Sequence, residues 1–160
     1  MLNLSDRGFT LIEILIVIAI IGIITASAIP NLHRARMTAN EAAAIAACKT
    51  VCAAQHDYNN NSYPHSYTSN LSCLGSGNGA GHVSFIDNRL ASGVRQGYAI
   101  SLVGPIDLGP NNELFSWSAS AWPVAYRSTG IRSFYIDSSG IIRGSDAGGG
   151  AIDKTYSAIE

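Results

Sequence analysis

Residues 9–29 are apolar throughout except for Thr10, Glu13, Gly22, Thr25 and Ser27. About twenty apolar residues in helical geometry are enough to cross a bilayer core of about 30 Å. One carboxylate stands in that run, at Glu13. A charged side chain at the centre of a membrane helix costs roughly 2.5–3.5 kcal/mol, and less toward an interface. A cost of that kind calls for a partner. The run therefore forces a helix that must be covered by lipid or by protein, and it marks Glu13 as a residue with a task.

The residues in front of the run narrow the reading. Arg7-Gly8 is followed by Phe9-Thr10-Leu11-Ile12 and then Glu13, before the uncharged stretch begins. This pattern resembles the type IV pilin and type II secretion pseudopilin family. Precursors in that family carry a short leader ending in a basic residue and Gly, then Phe, a few apolar residues and a lone Glu. The resemblance is of motif grade over residues 7–30 and looser as far as Tyr58. It implies a leader of residues 1–8, cut by a prepilin peptidase between Gly8 and Phe9, and methylation of the new amine on Phe9. It also implies that Glu13 pairs with the Phe9 amine of a neighbouring subunit during assembly.

Two plainer readings compete. A secretory signal peptide would use Ala26-Ser27-Ala28 as its small-residue cleavage site. Its charged region would be nearly neutral, however, because Asp6 offsets Arg7, and the apolar run exceeds the usual 7–15 residues. A simple single-pass anchor satisfies hydropathy equally well, and only the Gly-Phe-Thr-Leu-Ile-Glu register speaks against it.

One long helix is expected from Phe9 to about Tyr58. Gly22 lowers its propensity by roughly 1 kcal/mol relative to Ala. Pro30 removes a backbone donor and crowds the preceding turn, so a kink or local unwinding is expected between Gly22 and Pro30. Residues 31–58 form an Ala-rich amphipathic helix. Met37, Ile45, Cys48, Val51, Cys52 and Tyr58 make its apolar stripe at spacings of three and four. The small residues elsewhere would let neighbouring helices approach closely. Fifty helical residues would span roughly 75 Å, so the apolar half would protrude from a head of ordinary size.

Residues 59–160 make the head. Asn59 to Pro64 stops the helix, and residues 63–95 read as loop with a short helical candidate at 85–91. From about residue 96 the period changes to two, with strands expected at 97–103, 113–119, 122–127, 131–136 and 141–143 separated by Gly- and Ser-rich turns. The result is an antiparallel meander of about four strands, spanning about 96–143 and laid on the helix. The fold class is α+β. Residues from Gly148 onward read as a mobile tail.

Net charge is −1 with 13% charged residues, which argues against nucleic-acid binding through a basic surface. His33, Arg34 and Arg36 follow the apolar run and fit a membrane surface or a filament contact. Cys48 and Cys52 lie one helical turn apart, a geometry that disfavours a mutual bridge. A disulfide from Cys73 to Cys52 or to Cys48 is the expected alternative outside the cytoplasm, with Cys52 giving the shorter loop. Cys48, Cys52 and His56 share a face at i, i+4, i+8 but lack the paired ligand modules of zinc sites. Gly75 to Gly81 lacks phosphate-loop spacing, and Asp137, Asp146 and Asp153 lack calcium-loop spacing. His33, His56, His65 and His82 are dispersed, with no G-x-S-x-G elbow. Tyr58, Tyr63, Tyr67, Trp117 and Trp122 read as half-buried rather than as a binding face. No catalytic residue, metal or cofactor is expected.

The sequence thus reads as a structural subunit of a type IV pilus or pilus-like filament. Its partners would be copies of itself, the inner membrane before assembly, a prepilin peptidase and an assembly platform. The alternative is a membrane-anchored, non-polymerising binding or enzymatic domain outside the cytoplasm.

Overall fold

The computed structural model describes residues 8–63, 65–76, 83–103 and 115–159. Residues 1–7 of the leader, Pro64 of the helix stop, most of the Gly-rich loop with His82, the Gly104-Pro105 turn and Glu113 lie outside the described residues. The chain divides into two compact units, Met1–Ala35 and Arg36–Glu160. Helix α1, Leu11–Asn61, contributes to both.

In the first unit α1 is apolar on every face. Leu11, Ile12, Ile14, Leu15, Ile16, Val17 and Ile18 are all exposed, and no residue of its most apolar 18-residue window is buried. A helix that is hydrophobic all round belongs in a membrane or a protein core. Of the expected kink or local unwinding between Gly22 and Pro30, the unwinding is not seen, because α1 runs helical through both. Nearby side chains bond back to the helix carbonyls. Thr25 Oγ1 donates to Ile21 O at 2.9 Å and Gly22 O at 3.1 Å, Ser27 Oγ to Ile24 O at 3.0 Å, and Asn31 Nδ2 to Ser27 O at 3.2 Å.

The second unit packs the rest of α1 with two short helices, α2 (Leu71–Leu74) and α3 (Asn88–Ala91), and an antiparallel sheet. The strands are β1 (Val94–Arg95), β2 (Tyr98–Val103), β3 (Ser118–Pro123), β4 (Ser133–Asp137) and β5 (Ile142–Ser145), ordered β1-β2-β3-β4-β5. Tyr98 faces Pro123, Ala121 faces Phe134, and Ile136 faces Ile142 across successive pairs. The α+β meander is as the sequence predicts, with five strands rather than four. The fifth is β1, closed onto β2 by Gln96 and Gly97, both at positive φ.

Three expectations are corrected. The separate strands at 113–119 and 122–127 are one central strand, β3, made of Ser118-Ala119-Ser120-Ala121-Trp122-Pro123. Small residues carry weak strand propensity, but a strand between two others and beneath a helix needs little side-chain volume. The Ala-rich face of α1 also turns inward: Ala44, Ala47 and Ala54 are buried with Cys48 and Val51, while Ile45, Cys52 and Tyr58 flank them half-buried. Finally, the segment after Gly148 packs back on the sheet. Ile152 is buried, its N–H donating to Ser120 Oγ at 3.2 Å, and Ser133 Oγ donates to Gly150 O at 2.6 Å.

The two short helices show their local logic. Asn70 caps α2, with Ser72 N donating to its Oδ1 at 3.1 Å. Asp87 caps α3, with Leu90 N donating to Oδ1 at 2.8 Å. That cap makes the helix begin at Asn88 rather than at 85.

Candidate functional site

The start of α1 gathers the residues that the sequence singles out. Gly8 and Phe9 precede the helix and are exposed, Phe9 to 79%. A side chain placed on Gly8 would meet nothing within 4 Å, and the same holds for Gly22. The fold itself therefore has no need of glycine at residue 8. Glu13 occupies the third helical position, three residues after Thr10. Glu13 N donates to Thr10 Oγ1 at 3.2 Å, and Glu13 Oε2 accepts from Thr10 N at 3.4 Å and from Thr10 Oγ1 at 3.4 Å. This reciprocal pair is a capping box, which satisfies backbone donors that a helix N-terminus otherwise leaves open. The Thr-x-x-Glu spacing before an apolar run is its sequence signal, one that a search for intersubunit charge pairs passes over. Within one chain the Glu13 carboxylate is thus already engaged, by Thr10.

The cysteines do not converge on a metal site. Among the described residues no disulfide joins them, and no cluster of three or more His, Cys, Asp or Glu side chains is placed to hold a metal ion. Cys48 lies in the core, and its burial pushes the thiol up to about 12. Cys52 is half-buried; burial first, and then the charge of Asp137, raise its thiol above the ordinary value. Cys73 is half-buried on α2. His56 rests edge-on against Tyr67 with centroids 6.0 Å apart, and His65 Nδ1 lies 2.9 Å from Asn59 O.

The C-terminal carboxylates organise their own turns. Asp137 Oδ1 accepts from Ser139 N at 2.9 Å and from Ser139 Oγ. Asp146 accepts from Tyr126 Oη at 2.9 Å and from Gly148 N at 3.0 Å. Asp153 accepts from Thr155 Oγ1 at 2.6 Å and Thr155 N at 2.9 Å, and these bonds hold its carboxyl below the usual range. Among the aromatics, Trp117 is buried beside Tyr67, Tyr58 stands edge-on to Phe85, Trp122 is half-buried and Tyr63 is exposed.

Two polar residues that the sequence reading missed lie on α1. Glu41 is 9% exposed and its carboxylate accepts from Ile131 N at 3.0 Å, Arg132 N at 3.2 Å and Arg132 Nε at 2.9 Å. Gln55 is fully buried; its Nε2 donates to Thr68 O at 2.7 Å and its Oε1 accepts from Thr68 N at 3.1 Å. They lie on the same stripe as Cys48, at 41, 44, 48, 51 and 55, so a helical periodicity that admitted polar residues would have found them.

An α+β chain with a long apolar-ended helix and this N-terminal site matches the family model of the prokaryotic N-terminal methylation motif, over residues 3–29. It is also similar to the type IV wide pilus major component PilA4 of Thermus thermophilus, with 46% identity over 70 residues. That stretch covers 44% of this chain and 52% of the relative. The chain therefore spans about half the length of the curated relative it matches. No solved structure matches the chain significantly. Both matches support the type IV pilin family, a family of structural rather than enzymatic proteins.

Proposed function

We propose that this chain is a structural subunit of a type IV pilus or pilus-like filament, processed at Gly8 and Phe9 and polymerised through the apolar part of α1. One observation carries the reading. The helix between Leu11 and Leu32 exposes a continuous apolar surface, and it begins at a motif matched by the N-terminal methylation family. Such a surface needs a membrane first and copies of itself later. Repetition of one heterologous contact without closure gives an open helical filament. The chain would be a single-pass precursor in the inner membrane, with residues 1–8 as leader. It would then become a filament subunit at the surface or in the periplasm, without catalytic activity of its own.

Cleavage between Gly8 and Phe9 by a prepilin peptidase fits the open space around Gly8, since what requires glycine there lies outside the fold. Methylation would follow on the Phe9 amine, and Glu13 would meet that amine on a neighbouring subunit. N-terminal sequencing of mature protein tests the reading: a methylated Phe9 is expected, whereas a start at Ile29 would mean signal-peptidase processing and sink it. In the oxidising compartment outside the cytoplasm, Cys73 would pair with Cys52 rather than Cys48, because the thiolate is the attacking species and deep burial suppresses it at Cys48. Non-reducing peptide mapping of exported protein should find that link; three thiols open to alkylation after denaturation would reject it.

A further inference from the structure

β5 is the last strand of the sheet, and its outer edge is taken by the chain's own residues 157–159. Ile159 N donates to Ile142 O at 2.9 Å and Gly144 N donates to Ser157 O at 3.2 Å. Arg143 and Ala158 stand opposite each other as an antiparallel bridge. Arg143 Nη1 also donates to Tyr156 O at 3.1 Å. Alongside runs an open groove of about 520 Å³ lined by Ile45 and Lys49 of α1 with Arg132, Ile141, Ile142 and Ile159. Gly144 makes room for the Ile159 side chain: a Cβ there would come within 3.1 Å of Ile159 Cδ1 and of Phe134 Cδ1.

Main-chain bonds to a sheet edge, with a side chain set in a neighbouring groove of mixed isoleucine and cationic lining, are the parts of strand addition. We propose that the cleft between α1 and β5 is a strand-addition site whose partner is residues 157–159 of a second copy of this chain. The fit of the cleft to this segment is visible, because the same segment occupies it within one chain. That occupancy is light. Two backbone bonds, one guanidinium contact and one half-buried isoleucine hold it, and residues 153–158 are exposed. The last firm anchor before it is Ile152, and the five residue steps from Ile152 to Ser157 reach about 17 Å when extended. Exchange between copies replaces each bond with an identical one, so its free-energy cost is small. Copies held side by side raise the effective concentration of the neighbouring segment. The inference rests on the filament reading only for bringing copies together, and it requires neighbouring β5 edges to approach within that reach.

The Arg143–Ala158 pair supplies the test. A directly opposed pair that exchanges no hydrogen bonds has its Cα atoms about 4.5 Å apart, at the short end of the range for a disulfide. Full-length Arg143→Cys and Ala158→Cys chains are co-expressed, and membranes and sheared filaments are oxidised separately and mapped by peptide mass spectrometry. Exchange gives a dimer linking the two introduced thiols, although neither chain carries both. The double variant in a single chain then gives covalent multimers. If the double variant closes only within one chain and the mixed singles give no link, exchange is overturned. It is equally overturned if no link forms in either case. Linked dimers in membranes that yield no filaments would uphold the cleft and reject the filament reading.

Discussion

At the scale of single residues, the cysteines show how far spacing can speak. The helical interval between Cys48 and Cys52 was readable, but their difference in environment was not, because it depends on which face the sheet covers. Cys48 sits beneath the sheet and stays protonated up to about 12, against an ordinary value of 9.0. A group whose folded value is raised keeps more protons folded than unfolded once pH passes the ordinary value. Its stabilising contribution is therefore complete below pH 9 and lost as pH climbs toward 12, with a slope of up to about 1.4 kcal/mol per pH unit. Tyr98 adds in the same sense above pH 10, since burial and then the Glu41 charge raise its phenol. The head of the full chain in detergent should show a falling urea midpoint between about pH 9 and 11, and Cys48→Ala should flatten the first part of that fall. A midpoint independent of pH across this range would mean that the Cys48 thiol is not buried as described.

At the scale of elements, α1 is held to the head by polar clamps as well as by its apolar stripe. Glu41 grips the β3–β4 connection, and Gln55 grips the segment that leads into α2. The hydroxyl of Tyr98 donates to Arg132 O at 2.8 Å from the sheet side, so Arg132 is held from both directions. Removing one partner of a buried charged pair costs about 3–5 kcal/mol. Because the Arg132 side chain is 46% exposed and stays solvated without its partner, Glu41→Ala should cost less than that in chemical unfolding, about 1–3 kcal/mol for the Ile131 and Arg132 N–H groups left without an acceptor, and Glu41→Gln clearly less. An unchanged midpoint for Glu41→Ala would leave the clamp without energetic weight. Gly97 is constrained twice, by φ of +76° and by Thr129, whose Cβ would lie 2.8 Å from an added side-chain carbon. Gly97→Ala should therefore destabilise the head by more than the ~1 kcal/mol of a simple glycine replacement, read in the same unfolding assay. Strand β2 was legible because alternating large residues announce it, and β4 because Phe134-Tyr135-Ile136 is a short run of large residues between turn signals. β3 was not, because Ser and Ala fit its crowded central position for reasons that only the neighbouring strands and α1 supply. The pairing of residues 157–159 with β5 was hidden for the same reason, since a short segment joins an edge only once that edge exists.

At the scale of the whole molecule, the sequence is most explicit at residues for which the packing of the fold gives no reason. Gly8 meets no neighbour and Glu13 lies in an apolar run, so neither is explained by packing, and both could be recognised from order along the chain alone. The capping box gives Glu13 a role within one chain that must be separated from the proposed pairing with a neighbouring subunit. As a cap, Glu13 needs an oxygen acceptor for Thr10 N; as a partner for a neighbouring Phe9 amine, it needs a negative charge. Glu13→Gln keeps the acceptor and removes the charge, whereas Thr10→Val removes the hydroxyl cap and keeps the charge. If charge pairing governs assembly, Glu13→Gln should insert, be cleaved after Gly8 and yet give few filaments, because losing a charge eases insertion and leaves the amine unmatched. Thr10→Val should then assemble at nearly normal yield, with a loss of about 1 kcal/mol confined to the helix end. Quantifying subunits in sheared filaments against the membrane pool checks both variants. Normal yield from Glu13→Gln together with failure of Thr10→Val would assign Glu13 to the helix start and remove it from the filament contact.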